Sequence, residues 1–185
     1  MKRALFALAA VAAIYAPLAH ADGTITFSGT LSATTCTVTT SGGTDSFAVD
    51  LGNPAVATMA SSGLTGAPAT FSFTLSGCTG SAAQAVAYFY DPTPGTNINA
   101  AGRLKNVSSP PAPTVPATGV DVALMDAAAP STPLNLNGGH FAQGANLINF
   151  SGGGATLNYL AQYFATSAPS AGPVQAVVSY AIDYR

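Results

Sequence analysis

The sequence predicts an all-β fold, an immunoglobulin-like sandwich, and three observations carry that expectation. Apolar residues recur with period two in short runs from residue 23 to the end, as they do where successive side chains point to opposite faces of a sheet. Turn chemistry such as Gly52-Asn-Pro54, Asp91-Pro-Thr-Pro-Gly95 and Gly138-Gly139 punctuates the runs, at the spacing of roughly 8–12 residues expected of a sandwich. No stretch has a helical period. The chain has no tryptophan, so the antibody-type core, with a Trp packed on the bridge, is not expected.

The first 21 residues read as a secretory leader. Lys2 and Arg3 precede a short apolar run, and Ala19-His-Ala21 fits a small-x-small cleavage site. The run is shorter than the roughly 20 apolar residues of a membrane span. Residues 22–185 make one domain's worth of chain. They hold three basic residues, Arg103, Lys105 and Arg185, against seven aspartates and no glutamate, a net charge of three minus seven, or −4. Nucleic-acid binding is excluded on that count, because it needs clustered Lys and Arg. So is an anionic membrane surface. A surface of Ala, Gly, Ser and Thr with charges at 6% of the chain is poorly protected against association, which suits a protein packed among copies of itself.

Gly23 to Leu31 alternates Ile25, Phe27 and Leu31 with Thr24, Thr26, Ser28 and Thr30. Gly29 leaves one apolar position of this strand empty, as at a bulge or a close backbone approach. Thr34–Thr40 is a Thr-rich strand through Cys36. Cys36 and Cys78 are the two cysteines. In an exported chain they most simply form one disulfide, closing a loop of about 43 residues for roughly 4 kcal/mol. A metal site is disfavoured, since the mature chain has one histidine and no Cys-x-x-Cys.

Phe47, Val49 and Leu51 predict a strand, and residues 55–69 a loop with a short helical turn. Phe71, Phe73 and Leu75 predict a strand leading into Cys78. Residues 84–90 are apolar on both faces and read as a central strand. Residues 103–107 are a short strand candidate. The prolines at 110, 111, 113 and 116 make 108–119 a surface connection, because each lacks a donor. Further strands are expected at 120–124, 133–137, 147–151 and 157–164. The last, 174–184, carries Val174, Ala176, Val178, Tyr180, Ile182 and Tyr184 on one face. That unbroken face needs a partner strand, from this chain or from another.

Candidate chemistry is thin. His140 reads as a surface-loop residue without the orienting third group that a catalytic base wants. Asp121 and Asp126 fall on opposite faces by parity, against a glycosidase pair. The glycine runs lack a following Lys and helix, against a phosphate loop. No enzyme activity, cofactor or metal is expected.

The residues also resemble the chaperone–usher pilins, close to the major subunit of type 1 fimbriae. The resemblance rests on Gly23-Thr-Ile-Thr-Phe-Ser-Gly-Thr-Leu31, Ala33-Thr-Thr-Cys36, Phe71-Ser-Phe-Thr-Leu-Ser-Gly-Cys78 and Gly119-Val-Asp-Val-Ala-Leu-Met-Asp126. It rests also on Ala161-Gln-Tyr-Phe-Ala165 and on Val174–Arg185 with its penultimate Tyr184. Their order and the cysteine spacing make it specific. The resemblance implies an incomplete immunoglobulin-like sandwich completed by a donor strand, with 1–21 the leader, 22–32 the donor extension and 33–185 the pilin domain. Ile25, Phe27, Gly29 and Leu31 would then fill a neighbour's groove, with Gly29 at its constriction. Val178, Tyr180, Ile182 and Tyr184 would border the groove and meet a periplasmic chaperone, with the carboxylate of Arg185 anchored in its cleft. The implied partners are neighbouring subunits, that chaperone and an outer-membrane usher, and the destination is a fimbria at the cell surface. The alternatives are a minor adaptor or tip subunit and a self-contained secreted carbohydrate-binding sandwich.

Overall fold

The computed structural model describes residues 34–150 and 153–185. The expected leader and donor segment, with Ile25, Phe27, Gly29 and Leu31, lie outside the described residues. Eight strands follow in order: β1 Thr35–Thr40, β2 Ala69–Thr79, β3 Gln84–Tyr90, β4 Leu104–Lys105, β5 Val120–Asp126, β6 Ile148–Asn149, β7 Ala155–Ala165 and β8 Ser179–Tyr184. A single 3-10 turn, Val56–Met59, interrupts them among the described residues. The strands form a five-stranded sheet, β1-β2-β7-β5-β4, and a three-stranded sheet, β6-β3-β8. Every neighbouring pair is antiparallel.

The core lies between the inner faces of the two sheets. Strand alternation puts Phe71, Phe73 and Leu75 of β2 and Leu157, Tyr159 and Ala161 of β7 inward. The register sets Phe71 opposite Tyr159 and Phe73 opposite Leu157. From the smaller sheet come Ala85, Ala87 and Phe89 of β3. Phe89 meets Tyr159 edge-on at 5.1 Å between ring centroids, and Phe71 stacks on Tyr159 at 5.6 Å. Such offset and edge contacts add to area burial, itself worth about 1.5–3 kcal/mol for a fully buried side chain of this size. Strand β5 is covered on both faces, with Val122, Ala123, Leu124 and Met125 all buried.

The Cys36–Cys78 disulfide ties β1 to β2 with a Cα–Cα distance of 4.1 Å. It sits beside a bulge, where Thr35 faces Thr79 but Thr37 faces Ser76. The bridge therefore anchors the edge strand of the larger sheet at its irregular end.

Three expected strands differ. Residues 47–51 are not in a strand: they keep the alternation, but their backbone pairs with no other among the described residues. Residues 133–137 are not a strand either. The amide of Leu134 donates to Leu124, that of Asn135 to Gln143 and that of Leu136 to Gly102, so three successive amides serve three different segments. The final strand begins at Ser179, not at 174. Ahead of it Gln175 is held by the Asn106 side chain, whose Oδ1 accepts the Gln175 amide at 3.0 Å.

Candidate functional site: an open apolar groove

The two sheets close over one another unevenly. In the three-stranded sheet Ala85, Ala87 and Phe89 face the same way as their cross-strand partners Tyr184, Ile182 and Tyr180. The β3 residues are sealed, at 0%, 2% and 2% exposure. Their β8 partners are only half-buried, as are Val178, Ala176 and Val174 before them. Strand β8 pairs with β3 along one edge and, among the described residues, is the last strand of its sheet. The apolar stripe is thus laid down by alternation and then left partly in water.

Facing it is the chain that leaves β1. A turn at 41–46 redirects it: Gly43 takes φ +76°, and Gly42 lies so near Phe47 that a Cβ there would come within 2.1 Å of the Phe47 Cβ. Phe47, Val49 and Leu51 then point inward and are half-buried, while Ala48 and Asp50 are exposed. Phe47 lies against Phe71 and Phe73, at 6.2 and 6.1 Å between ring centroids. Phe73 is fully buried and also carries the Tyr180 ring at 4.6 Å. Phe73 is therefore the floor of a groove whose walls are 47–51 and 178–184. Across the groove the Tyr180 hydroxyl donates to the Asp45 carbonyl at 2.9 Å. At the far end the Tyr163 hydroxyl donates to the Gly52 carbonyl at 3.2 Å. Partial burial raises the pKa of the Tyr180, Tyr184 and Tyr163 phenols, and the Tyr180 and Tyr163 hydroxyls act as neutral donors.

An unpaired backbone edge is a template for another strand. Among the described residues, two edges without a further strand partner, β8 and 46–51, lie on either side of an apolar floor, which is the geometry for receiving one extended segment with apolar side chains at alternate positions. The structure brings Val178, Tyr180, Ile182 and Tyr184 to this groove. The opposite wall of Phe47, Val49 and Leu51, and the tyrosine contacts to Asp45 and Gly52, are additions that the sequence reading missed. At the chain end, the Arg185 backbone oxygen accepts the amides of Ala83 and Gln84 at 2.8 and 2.9 Å.

The remaining polar residues have structural partners. His140 stands exposed, bonded through Nδ1 to Asp183 at 2.8 Å and stacked on Tyr88 at 4.0 Å. Asp121 pairs with Arg103 at 3.0 Å. Asp126 is buried and accepts the amides of Ala128 and Asn146, each at 2.7 Å. Gln143, also buried, places Oε1 on the Phe89 amide at 3.0 Å and Nε2 on the Phe89 carbonyl.

Comparison with known proteins agrees with this architecture. Residues 25–185 match the family model described as fimbrial protein. The chain is 38% identical over 174 residues to the major fimbrial subunit SMF-1 of Stenotrophomonas maltophilia (strain K279a), covering 92% of this chain and 98% of that one. It is 32% identical over 184 residues to the F17 fimbrial protein of Escherichia coli, covering 98% and 97%. Among solved structures, the P pilus rod subunit PapA superposes with a TM-score of 0.56 at 13% identity, over 81% of this chain and 99% of that one. A chaperone–usher pilus structure gives 0.58 at 15% identity, over 89% and 96%. The two superpositions establish the immunoglobulin-like pilin fold. Matched by the family model from residue 25 to its last residue, this chain belongs to the fimbrial protein family.

Proposed function

We propose that this structural fimbrial subunit polymerises head-to-tail by donor-strand exchange. The observation that carries the reading is the half-open inner face of β8, opposite a segment whose backbone pairs with nothing else among the described residues. A self-contained sandwich would seal that face. By its alternating sequence, segment 22–32 is the matching insert, with Ile25, Phe27 and Leu31 as knobs and Gly29 as the position without a side chain. Filling the groove removes several hundred Å² of apolar surface from water, of order 10 kcal/mol at about 25 cal/mol per Å² before ordering costs. A head-to-tail contact of this kind does not close on itself and yields an open filament.

An unfilled groove is an aggregation hazard during export. The reading therefore includes a secretory leader at 1–21, a periplasmic chaperone that lends a strand beside Val178, Tyr180, Ile182 and Tyr184, and an outer-membrane usher where the next subunit's segment takes over. The subunit acts by assembly rather than catalysis, in a cell-surface fimbria that supports adhesion.

The experiment is Gly29→Leu in cells making only that variant. The subunit should accumulate in the periplasm while electron microscopy finds no fimbriae. Fimbriae of normal length from this variant would overturn the donor role.

A further inference from the structure

We infer that Tyr180 and Tyr163 are positioning residues that hold segment 45–52 as the second wall of the groove, one strand's width from β8, before any donor arrives; this rests on the groove reading above. Adjacent strands lie about 4.7–4.9 Å apart, so a gap shaped for one strand sets its two lips about 10 Å from one another. Across such a gap backbone groups are beyond hydrogen-bond reach. No backbone–backbone hydrogen bond of 45–52 occurs among the described residues, so no ladder with them keeps this wall in place.

The long-range hydrogen bonds that do hold it come from two phenols on opposite sheets, at opposite ends of the segment. Tyr180 of β8 reaches the carbonyl of Asp45 at 2.9 Å, and Tyr163 of β7 reaches that of Gly52 at 3.2 Å. Each phenol has its own support. The Tyr180 ring lies on Phe73 at 4.6 Å. Tyr163 sits in β7 opposite Val122. The stop at Gly52 is local, with φ +68° and its amide on the Asp50 carboxylate at 2.8 Å.

Between the two anchors the underside is apolar. Phe47 already rests on the floor; without the two anchors, the ends of the segment are free to shift toward β8 and narrow the groove. With them, the wall stands at a width that a strand can enter, and its backbone groups, unpaired among the described residues, are already aligned. The gain is preorganisation: ordering that would oppose donor binding is done in advance. Tyr180 bonds the carbonyl of Asp45, ahead of 46–51, so the bond takes up no backbone group of 46–51.

The test uses the mature chain, residues 22–185, with its own donor silenced by Phe27→Asp, and a fluorescent synthetic peptide of residues 22–33. Peptide association is compared for the parent chain, Tyr180→Phe, Tyr163→Phe and the double variant, alongside amide hydrogen exchange at 46–51. Loss of one hydrogen bond of ordinary net strength predicts association about three- to tenfold slower in each single variant, and slower again in the double. Exchange at 46–51 should quicken in the empty variants and return to the parent level once peptide is bound. A purely structural role would raise exchange in both states. Parent-like association in the double variant overturns the inference alone. A parent chain that takes up no peptide overturns the groove reading, and this inference with it.

Discussion

The Tyr159 hydroxyl accepts the Ala87 amide at 2.9 Å, joining β7 of one sheet to β3 of the other through the middle of the core. Among the described residues, β6 pairs with β3 at Gln84 and Ala85. Further along, Tyr159 and Gln143 take the amides of Ala87 and Phe89 that a longer β6 would have held. Both Tyr159 and Ala87 are 2% exposed, so water cannot replace the bond. Tyr159→Phe keeps the ring packing and orphans the amide. It should cost about 1–3 kcal/mol, read as a lower denaturant midpoint at unchanged slope.

The same hydroxyl predicts the alkaline limit of the fold. Burial pushes the Tyr159 phenol from its ordinary 10.0 up to about 12, and the nearby Asp126 charge adds to the rise. The folded state thus holds a proton that the unfolded chain releases near pH 10. Stability from this group is complete below pH 10 and falls as pH rises from 10 toward 12, by about 2–3 kcal/mol in all. Tyr163, Tyr180 and Tyr184 shift in the same direction. Melting temperature should be level up to about pH 10 and then drop, and Tyr159→Phe should lessen the drop. An equally steep fall in that variant would put the sensitivity elsewhere.

The disulfide predicts a loss at two places. Replacing both cysteines, Cys36→Ser with Cys78→Ser, opens a loop of sequence separation 42 and should cost about 4 kcal/mol. β1 is also the edge strand from which the groove wall departs. The double variant should therefore take up the 22–33 peptide more slowly even where it remains folded. Unaltered unfolding midpoint and uptake would contradict both expectations.

Most of the fold was legible because period-two alternation reports which face a side chain takes. It placed Phe71, Phe73 and Leu75 on one side of β2, and it put Tyr180, Ile182 and Tyr184 together. Alternation does not report whether a partner strand exists. Phe47, Val49 and Leu51 carry the pattern as clearly as β2 does, yet they belong to no strand among the described residues. Nor does it reveal contacts between distant residues. Tyr180 with Asp45 and Tyr163 with Gly52 are 135 and 111 positions apart. Gln143 standing in for a strand at Phe89 has no local pattern at all. The short elements fail for a related reason: at 133–137 the amides are shared among three neighbours, so no single register was there to be read.

On the proposed donor-strand exchange, Ile182 should separate the empty subunit from the assembled one. It lies opposite Ala87 on the inner face, but it is half-buried where Ala87 is sealed. A side chain still partly in water has only part of its transfer free energy to lose. Ile182→Ala should therefore destabilise the isolated, donor-silenced chain by about 1 kcal/mol. Under a donor strand the same side chain becomes core, and the truncation leaves a cavity worth about 2–5 kcal/mol. Guanidinium unfolding of the isolated chain should thus register a small shift, and depolymerisation of fimbriae a large one. A control at Phe89, sealed in both states, should cost about 3–5 kcal/mol in each when cut to alanine. Equal losses for Ile182→Ala in the two states would mean that nothing is laid over β8 on assembly.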